Sequence, residues 1–212
     1  MIKIDRGAAP VWLIVNRESA TAAYIAAPVG AKTSPWRATD IVEALKRDAA
    51  GKCMYCEGLI DDVSYAAVEH IRPKDSFPEQ VLDWENLGLV CPRCNTNKSN
   101  YWSDREEHRL LNPYEDSPSD HLQFLGPIVV AALDSSRAEN TLRKLKFHQR
   151  VDLIMAKMQK IQDLDDRIRR WHDESESDKK DLLAEDLREA IGPHREFSAA
   201  LASFAQQQGF TS

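Results

Sequence analysis

The chain has 212 residues, of which 42% are hydrophobic and 29% are charged. This composition excludes a wholly disordered protein and is sufficient for one or two compact domains. The formal net charge is −6, although a stand-alone binder of duplex DNA usually carries an excess of lysine and arginine. No segment approaches the roughly 20 apolar residues that span a bilayer, and the short apolar patch near the start is unlike a signal peptide. We therefore expect a cytoplasmic protein without membrane association.

Residues 1–50 are predicted to form an N-terminal extension with one helix. Prolines and a glycine interrupt residues 1–36, so no regular element is predicted before the helix. The helix is predicted from about Trp36, because Asp40 is a suitable N-cap and apolar residues follow it at helical spacing. Gly51 is expected to end this helix.

The central segment, residues 51–110, combines two short extended stretches with a following helix. Residues 64–72 are predicted to be extended, since the proline that follows them disfavours a helix. The apolar run at 87–90 is bounded by turn residues and predicts a short strand. A helix can begin after the last cysteine, with Asn95 as its N-cap or in its first turn.

The C-terminal part is predicted to be mainly helical. Residues 111–135 contain a loop with two prolines and two short strands around a Gly–Pro pair. Within 136–212, apolar residues recur at helical spacings over 138–172 and again over 178–208. The Gly192–Pro193 pair must kink or split the second of these helices.

Four cysteines form two CxxC pairs, Cys53 with Cys56 and Cys91 with Cys94, and 34 residues separate the pairs. In a reducing cytoplasm such pairs hold a metal more often than they form disulfides. Together the four thiolates can bind one tetrahedral zinc ion, and a closed set of four sulfur ligands indicates a structural site. Two redox-active pairs are an alternative, but a thioredoxin-like motif needs a βαβ context that this sequence lacks. Four independent buried cysteines are the remaining alternative.

Five residues between and just after the cysteine pairs carry chemistry suited to phosphodiester hydrolysis. The reaction needs an activated water, charge neutralisation on the phosphate and stabilisation of the leaving oxygen. A histidine such as His70, with an ordinary pKa of about 6.5, can accept the proton of the water. The oxygens of Glu69 and Asn95 can hold Mg²⁺ or Mn²⁺, which neutralises the phosphate and the leaving group. Asn86, between the cysteine pairs, and Lys98, just after the second pair, are the other two of the five residues.

The stretches KCMYCEG, VEHIRPK and WENLGLVCPRCNTNK resemble the HNH, or ββα-metal, nucleases over about residues 50–102. The resemblance implies an α+β fold. In it, a ββα-metal core with a structural four-cysteine zinc site is joined to mainly helical N- and C-terminal segments. It also implies a role for each of the five residues: Glu69 and Asn95 as ligands of the catalytic metal, His70 as general base, Asn86 as a brace of the loop between the strands that holds the histidine, and Lys98 as a contact to phosphate.

Several of these residues also have simpler interpretations. Asn95 could be only a helix N-cap, and Asn86 could cap a turn. Lys98 could be a solvated lysine. Arg72 and Lys74 flank the catalytic strand, where they could contact the phosphate backbone or simply face solvent. The sequence leaves these alternatives open.

Five further histidines have no metal partner that can be recognised in the sequence. His121 is expected to form a structural hydrogen bond, because no acid–histidine–metal arrangement is visible around it. The roles of the others stay open, and they are His108, His148, His172 and His194.

A wider resemblance covers segments outside the nuclease core. MIKIDRG, LLNPYEDSPSDHLQF and TLRKLKFHQR are similar to the HNH component of bacterial Septu-type anti-phage systems and to related HNH proteins encoded with retrons. In those systems the nuclease works with an ABC-type ATPase, so the resemblance implies such a partner. A partner that binds the nucleic acid would explain why residues 51–110 hold seven Lys and Arg against eleven Asp and Glu. The helices over 138–208 would then be its docking surface, or they only pack on the nuclease core.

Three functions are compatible with the sequence. The first is a metal-dependent endonuclease, with DNA favoured and RNA possible, that acts as the effector of an anti-phage defence complex. The second is a zinc-ribbon module that binds nucleic acid or protein without cutting it. A ribbon needs the four cysteines but not Glu69, His70 and Asn95, so their presence favours the enzyme. The third is a toxin-like or regulatory adaptor whose C-terminal helices are the functional part.

Overall fold

A computed structural model of the chain describes residues 1–60 and 66–211 and confirms the α+β class. The predicted extended segment lies partly outside the described residues, at 64–65. The α-helices are α1 (Val11–Ala26), α2 (Thr39–Asp48), α3 (Pro92–Lys98), α4 (Pro118–His121), α5 (Ser136–Lys144), α6 (Val151–Asp173), α7 (Ser177–Ala190) and α8 (Ser198–Gln207). The strands are β1 (Ala67–His70), β2 (Leu87–Val90), β3 (Leu122–Leu125) and β4 (Ile128–Ala131). Over the described ranges, no helix combines the length and apolarity needed to cross a membrane.

The N-terminal extension has two α-helices where the sequence predicted one. The additional helix, α1, buries Leu13 and Tyr24, whereas Val11, Ile14 and Val15 on it are exposed. Because many of its apolar residues face outward, its sequence does not show the single apolar face that identifies a surface helix.

The helix predicted near Trp36 is present as a 3₁₀ turn, Pro35–Arg37, followed by α2. Its N-cap is Ala38, and Asp40 lies in the first turn without a side-chain capping bond. The predicted N-cap is therefore wrong by two residues, although an acid in the first turn still interacts favourably with the helix dipole. Gly51 follows the helix with a φ of +70°, a left-handed conformation that favours glycine.

The central segment folds as two antiparallel strands followed by a helix. β1 pairs with β2 so that Glu69 lies opposite Gly88 and His70 lies opposite Leu87. A Cβ atom at Gly88 would overlap Sδ of the buried Met54. Glycine at this position therefore lets the first cysteine loop approach β2, the strand that leads to the second cysteine pair.

Helix α3 follows β2 directly, and its N-cap is Cys91 rather than the predicted Asn95. The Sγ atom of Cys91 accepts a hydrogen bond from the backbone N–H of Cys94 at 3.5 Å. Pro92 occupies the first helical position, where its missing N–H costs nothing. Asn95 lies inside the helix, so its side chain is free of a capping role.

The C-terminal half contains the predicted β3–β4 hairpin and is otherwise mainly helical. The helix predicted over 138–172 is two helices, α5 and α6, because Lys146 has a φ of +56° and interrupts the helical backbone. The predicted break at Gly192–Pro193 lies between α7 and α8.

Two clusters of buried apolar side chains form the interior. The larger cluster joins the N-terminal extension, the ββα segment and α5. The smaller one lies between α6, α7 and α8 and comprises Ile161, Leu164, Ile168, Ala184, Leu187, Leu201, Ala205 and Phe210. The backbone N–H of Phe197 donates to the carbonyl of Glu57 at 3.3 Å, so the C-terminal helices also contact the first cysteine loop.

Candidate active site

The four cysteines form one compact cluster. Their Sγ atoms all lie within 4.8 Å of one another, and the Sγ atoms of Cys56 and Cys91 are 3.9 Å apart. Zinc–sulfur bonds of about 2.3 Å in a tetrahedron place the sulfurs roughly 3.8 Å apart. The donor set therefore fits one structural zinc ion, as the CxxC spacing predicted.

Backbone hydrogen bonds hold the first cysteine loop in place. The N–H of Cys53 donates to the carbonyl of Gly58 at 2.9 Å, and the N–H of Met54 donates to the carbonyl of Leu89 in β2 at 2.9 Å. Hydrogen bonding with Cys53 lowers the pKa of the Cys56 thiol to about 7, whereas burial raises the pKa of Cys53 and hydrogen bonding with the other cysteines raises that of Cys94.

Two buried cations of α6 and the turn before it face the cysteine cluster. The Nη1 atom of Arg150 donates to Sγ of Cys94 at 3.3 Å. Lys157 is buried and interacts electrostatically with Glu57 and Cys56. Four thiolates around one Zn²⁺ would carry a net charge of about −2, and two nearby cations would offset part of that charge. No pattern near the cysteines indicates Arg150, since it lies 56 positions after Cys94 in the chain.

A cavity of about 230 Å³ brings together several of the predicted site residues. Glu69 and His70 from β1, Asn95 from α3 and Lys74 from the loop after β1 all line it. The other lining residues are Trp36, Arg37, Ala67, Val68, Pro73, Ser99 and Asn100. This cavity is the candidate active site.

The environment of His70 defines its protonation state. Its Nε2 atom lies 3.0 Å from the carbonyl oxygen of Val81, and a carbonyl only accepts, so Nε2 carries the hydrogen and Nδ1 is left as an acceptor. The ring of Trp36 meets the imidazole edge-on, with centroids 4.8 Å apart. Burial lowers the pKa of His70 to about 4. The imidazole is therefore neutral at neutral pH, which leaves Nδ1 without a proton.

Glu69 forms a buried ion pair with Lys98. The Nζ atom of Lys98 lies 2.6 Å from Oε1 of Glu69 and donates to the backbone carbonyl of His70 at 2.9 Å. Burial raises the pKa of the Glu69 carboxyl, and the ammonium of Lys98 opposes that rise. Tyr55 also donates to Oε1 at 3.5 Å. Because Glu69 lines the cavity together with the Asn95 amide, the two side chains offer the oxygen ligands that a divalent cation prefers.

The position of Lys98 differs from the predicted contact to phosphate. Its side chain is 3% exposed and is absent from the cavity lining, because α3 directs it into the protein toward the carboxylate of Glu69. The structure therefore makes Lys98 the counter-ion of Glu69 and not a surface cation.

Asn86 braces the loop that follows β1. Its Oδ1 atom accepts from the N–H of Arg72 at 2.7 Å, and its Nδ2 atom donates to the carbonyls of Arg72 and Gln80, both at 3.1 Å. Gln80 precedes Val81, whose carbonyl orients His70. Asn86 therefore bonds to the loop whose Val81 carbonyl contacts His70, and its own hydrogen bonds go to Arg72 and Gln80.

The two cations that follow β1, Arg72 and Lys74, lie in different places. Lys74 lines the active-site cavity, and its ammonium lies 5.7 Å from the centre of the Trp36 ring. Arg72 instead lines a separate cavity with Asn86, and its guanidinium lies 5.1 Å from the Trp102 ring. The structure therefore brings only Lys74 of this pair to the cavity that contains His70.

The remaining histidines lie outside this cavity. His121 Nδ1 and Ser135 Oγ are 2.9 Å apart, which agrees with the expected structural hydrogen bond. His108 lies 3.5 Å from the side-chain amide of Asn140, and His148 is exposed. None of these three lines the cavity with Glu69 and His70.

Comparison with known proteins identifies the central segment. Residues 53–101 match the protein-family model described as HNH endonuclease. A protein named Septu protein PtuB, from Bacillus thuringiensis, is 35% identical over 125 residues, which are 58% of this chain and 46% of the relative. A second Septu protein PtuB, from Bacillus mycoides, is 30% identical over 189 residues, which are 71% of this chain and 64% of the relative.

The chain spans less than two thirds of the length of either relative. The family match includes β1, β2, α3 and both cysteine pairs, and so contains Glu69, His70 and Asn95 of the cavity as well as the cysteine cluster. The central segment is therefore an HNH endonuclease domain with a four-cysteine cluster that can bind zinc, within a chain homologous to Septu protein PtuB.

Proposed function

We propose that the chain is a metal-dependent endonuclease that hydrolyses nucleic-acid phosphodiesters, with DNA as the favoured substrate. The observation that carries the proposal is the cavity in which Glu69, His70 and Asn95 meet, with the imidazole neutral and Nδ1 available as an acceptor. A zinc ribbon that only binds would not need this arrangement.

Each residue has a defined part in the proposed reaction. His70 accepts the proton of the attacking water, and the carbonyl of Val81 holds the imidazole in the tautomer that permits this. Glu69 and Asn95 would hold Mg²⁺ or Mn²⁺, and Lys98 keeps the Glu69 carboxylate charged and oriented. The metal ion would supply charge neutralisation on the phosphate and on the leaving oxygen. The cysteine cluster has no open ligand position and therefore serves stability only.

We place this nuclease in an anti-phage defence complex with an ABC-type ATPase partner. Similarity to two proteins named Septu protein PtuB supports the defence context. The net charge of −6 supports a partner, because an acidic nuclease would need additional positive charge to hold a long nucleic acid. The four free cysteine thiols of the cluster suit a reducing cytoplasm.

Plasmid cleavage tests the catalytic proposal. We expect wild-type protein to cut DNA with Mg²⁺ or Mn²⁺ and His70→Ala to lose about 10²- to 10⁴-fold in rate, which is the usual contribution of a general base. His148→Ala, which removes an exposed histidine outside the cavity, is the matched control and should cut as the wild type does. Addition of the ATPase should raise the wild-type rate and leave His70→Ala inactive.

The other outcomes separate the alternatives. Cleavage of RNA and not of DNA would show that the substrate is RNA. A folded, zinc-loaded chain that binds nucleic acid but cuts neither DNA nor RNA, with or without the ATPase, would favour the zinc-ribbon module. A His70→Ala protein that loses its zinc or its fold would contradict the assigned role of His70, because His70 is not part of the cysteine cluster.

A further inference from the structure

The active-site cavity needs a cation that can contact phosphate, and the structure removes Lys98 from that role. Lys98 is committed to Glu69 and to the carbonyl of His70 inside the protein. Two other cations line the cavity, Lys74 and Arg37. Arg37 lies outside the 53–101 match to the HNH family, so the N-terminal extension contributes it.

The surroundings of Arg37 fix its backbone beside His70. Arg37 is the last residue of the 3₁₀ turn Pro35–Arg37, and the preceding Trp36 is buried. The Trp36 ring meets the edge of His70 at 4.8 Å and of Tyr24 at 5.7 Å. The turn is therefore anchored to the catalytic histidine itself.

The side chain of Arg37 has no competing partner in the described part of the chain. It is exposed, and it forms no ion pair there although acids outnumber bases in the sequence, 34 to 28. Arg93 is a contrasting case. It forms an ion pair with Asp152 at 2.8 Å and does not line the cavity. A free guanidinium presents donors in a planar fork that matches a phosphate group.

We propose that Arg37 binds a backbone phosphate of a DNA substrate in the active-site cavity and that Lys74 supplies a second positive charge to the same strand. The proposal rests on the proposed nuclease function and names how the site holds its substrate. Contacts of this kind position the substrate and carry no sequence information, so Arg37 contributes affinity and register rather than base preference. The N-terminal extension then completes the substrate site of the HNH domain.

Binding of a labelled DNA duplex to the full chain tests this proposal. The His70→Ala background prevents cleavage during the measurement, and fluorescence anisotropy over a range of salt concentrations gives the affinity and its salt dependence. Arg37→Gln should weaken binding by about tenfold, as expected for the loss of a charge-assisted contact. It should also reduce the salt slope by about one. Arg37→Lys keeps the charge and should restore the slope, but recover the affinity only in part.

Arg47→Gln is the matched control, because Arg47 is an exposed arginine of the same extension that does not line the cavity. It should bind DNA as its parent does. Thermal melting of the Arg37 variants should equal that of the parent, since the side chain is exposed. Equal affinities and salt slopes for Arg37→Gln and Arg47→Gln would overturn the proposal, as would a parent chain without measurable affinity for DNA.

Cleavage assays with proteins that retain His70 distinguish a failure of this inference from a failure of the proposed function. If wild-type protein cuts DNA and Arg37→Gln cuts with an unchanged KM, the nuclease function stands and the role of Arg37 is wrong. If wild-type protein cuts nothing, yet DNA binding depends on Arg37, the phosphate site stands and the proposed catalysis is wrong. We expect a raised KM in Arg37→Gln and the wild-type KM in Arg47→Gln.

Discussion

Replacing Lys98 with methionine tests whether this lysine supports the site from inside the protein. Its ammonium lies 2.6 Å from Oε1 of Glu69, and the two side chains are 3% and 2% exposed. At that separation the Coulomb attraction is roughly 6 kcal/mol at an effective dielectric constant of about 20. Desolvation offsets much of this, but removing one partner of a buried pair costs about 3–5 kcal/mol because the other charge stays buried. We expect Lys98→Met to lose that much unfolding free energy.

Urea denaturation of the zinc-loaded protein measures the loss, and the melting temperature should fall by roughly 6–20 °C for a chain of this size. The double variant Glu69→Gln/Lys98→Met removes both charges, so it should be more stable than Lys98→Met alone. Lys98→Met should also cut DNA poorly, because Glu69 loses its counter-ion. An unchanged urea midpoint in Lys98→Met, or a double variant that is no more stable than the single one, would refute this reasoning.

Two further substitutions test the cluster and the loop brace. Cys53→Ser should lower the zinc content measured by metal analysis and lower the melting temperature, since zinc binding free energy contributes to folding; full zinc content with unchanged melting would contradict a structural zinc. Asn86→Ala removes three hydrogen bonds to Arg72 and Gln80 and should cost about 2–4 kcal/mol in urea denaturation. It should also slow cleavage, because Val81 no longer orients His70 firmly; wild-type stability and rate would exclude the bracing role.

The core of the site could be predicted from the sequence because its signals are local. Each CxxC pair indicates a metal-binding turn within four residues, and Glu69 and His70 are adjacent on one strand. The apolar run that forms β2 leads directly to the second pair and to Asn95. Such short-range patterns can be recognised without knowing how distant segments of the chain pack.

The rest could not be predicted because it depends on packing between segments that are far apart in the chain. Trp36 and Arg37 reach the cavity from a 3₁₀ turn that has no motif of its own. Lys98 is a polar residue in a polar stretch, and only the orientation of α3 shows that it points to Glu69. The left-handed backbone at Lys146 splits one predicted helix, and no glycine marks that position in the sequence.

The HNH domain depends on both flanking segments to hold its histidine. β1 and β2 have four residues each, and an isolated pair of short strands is marginally stable in water. The cysteine cluster joins the loop before β1 to α3, while Trp36 covers His70 from the N-terminal side. From the C-terminal side, Arg150 and Lys157 place positive charge near the thiolates. These groups supply apolar cover and charge balance that so short a segment cannot provide alone, so the flanking segments contribute to the geometry of the candidate active site.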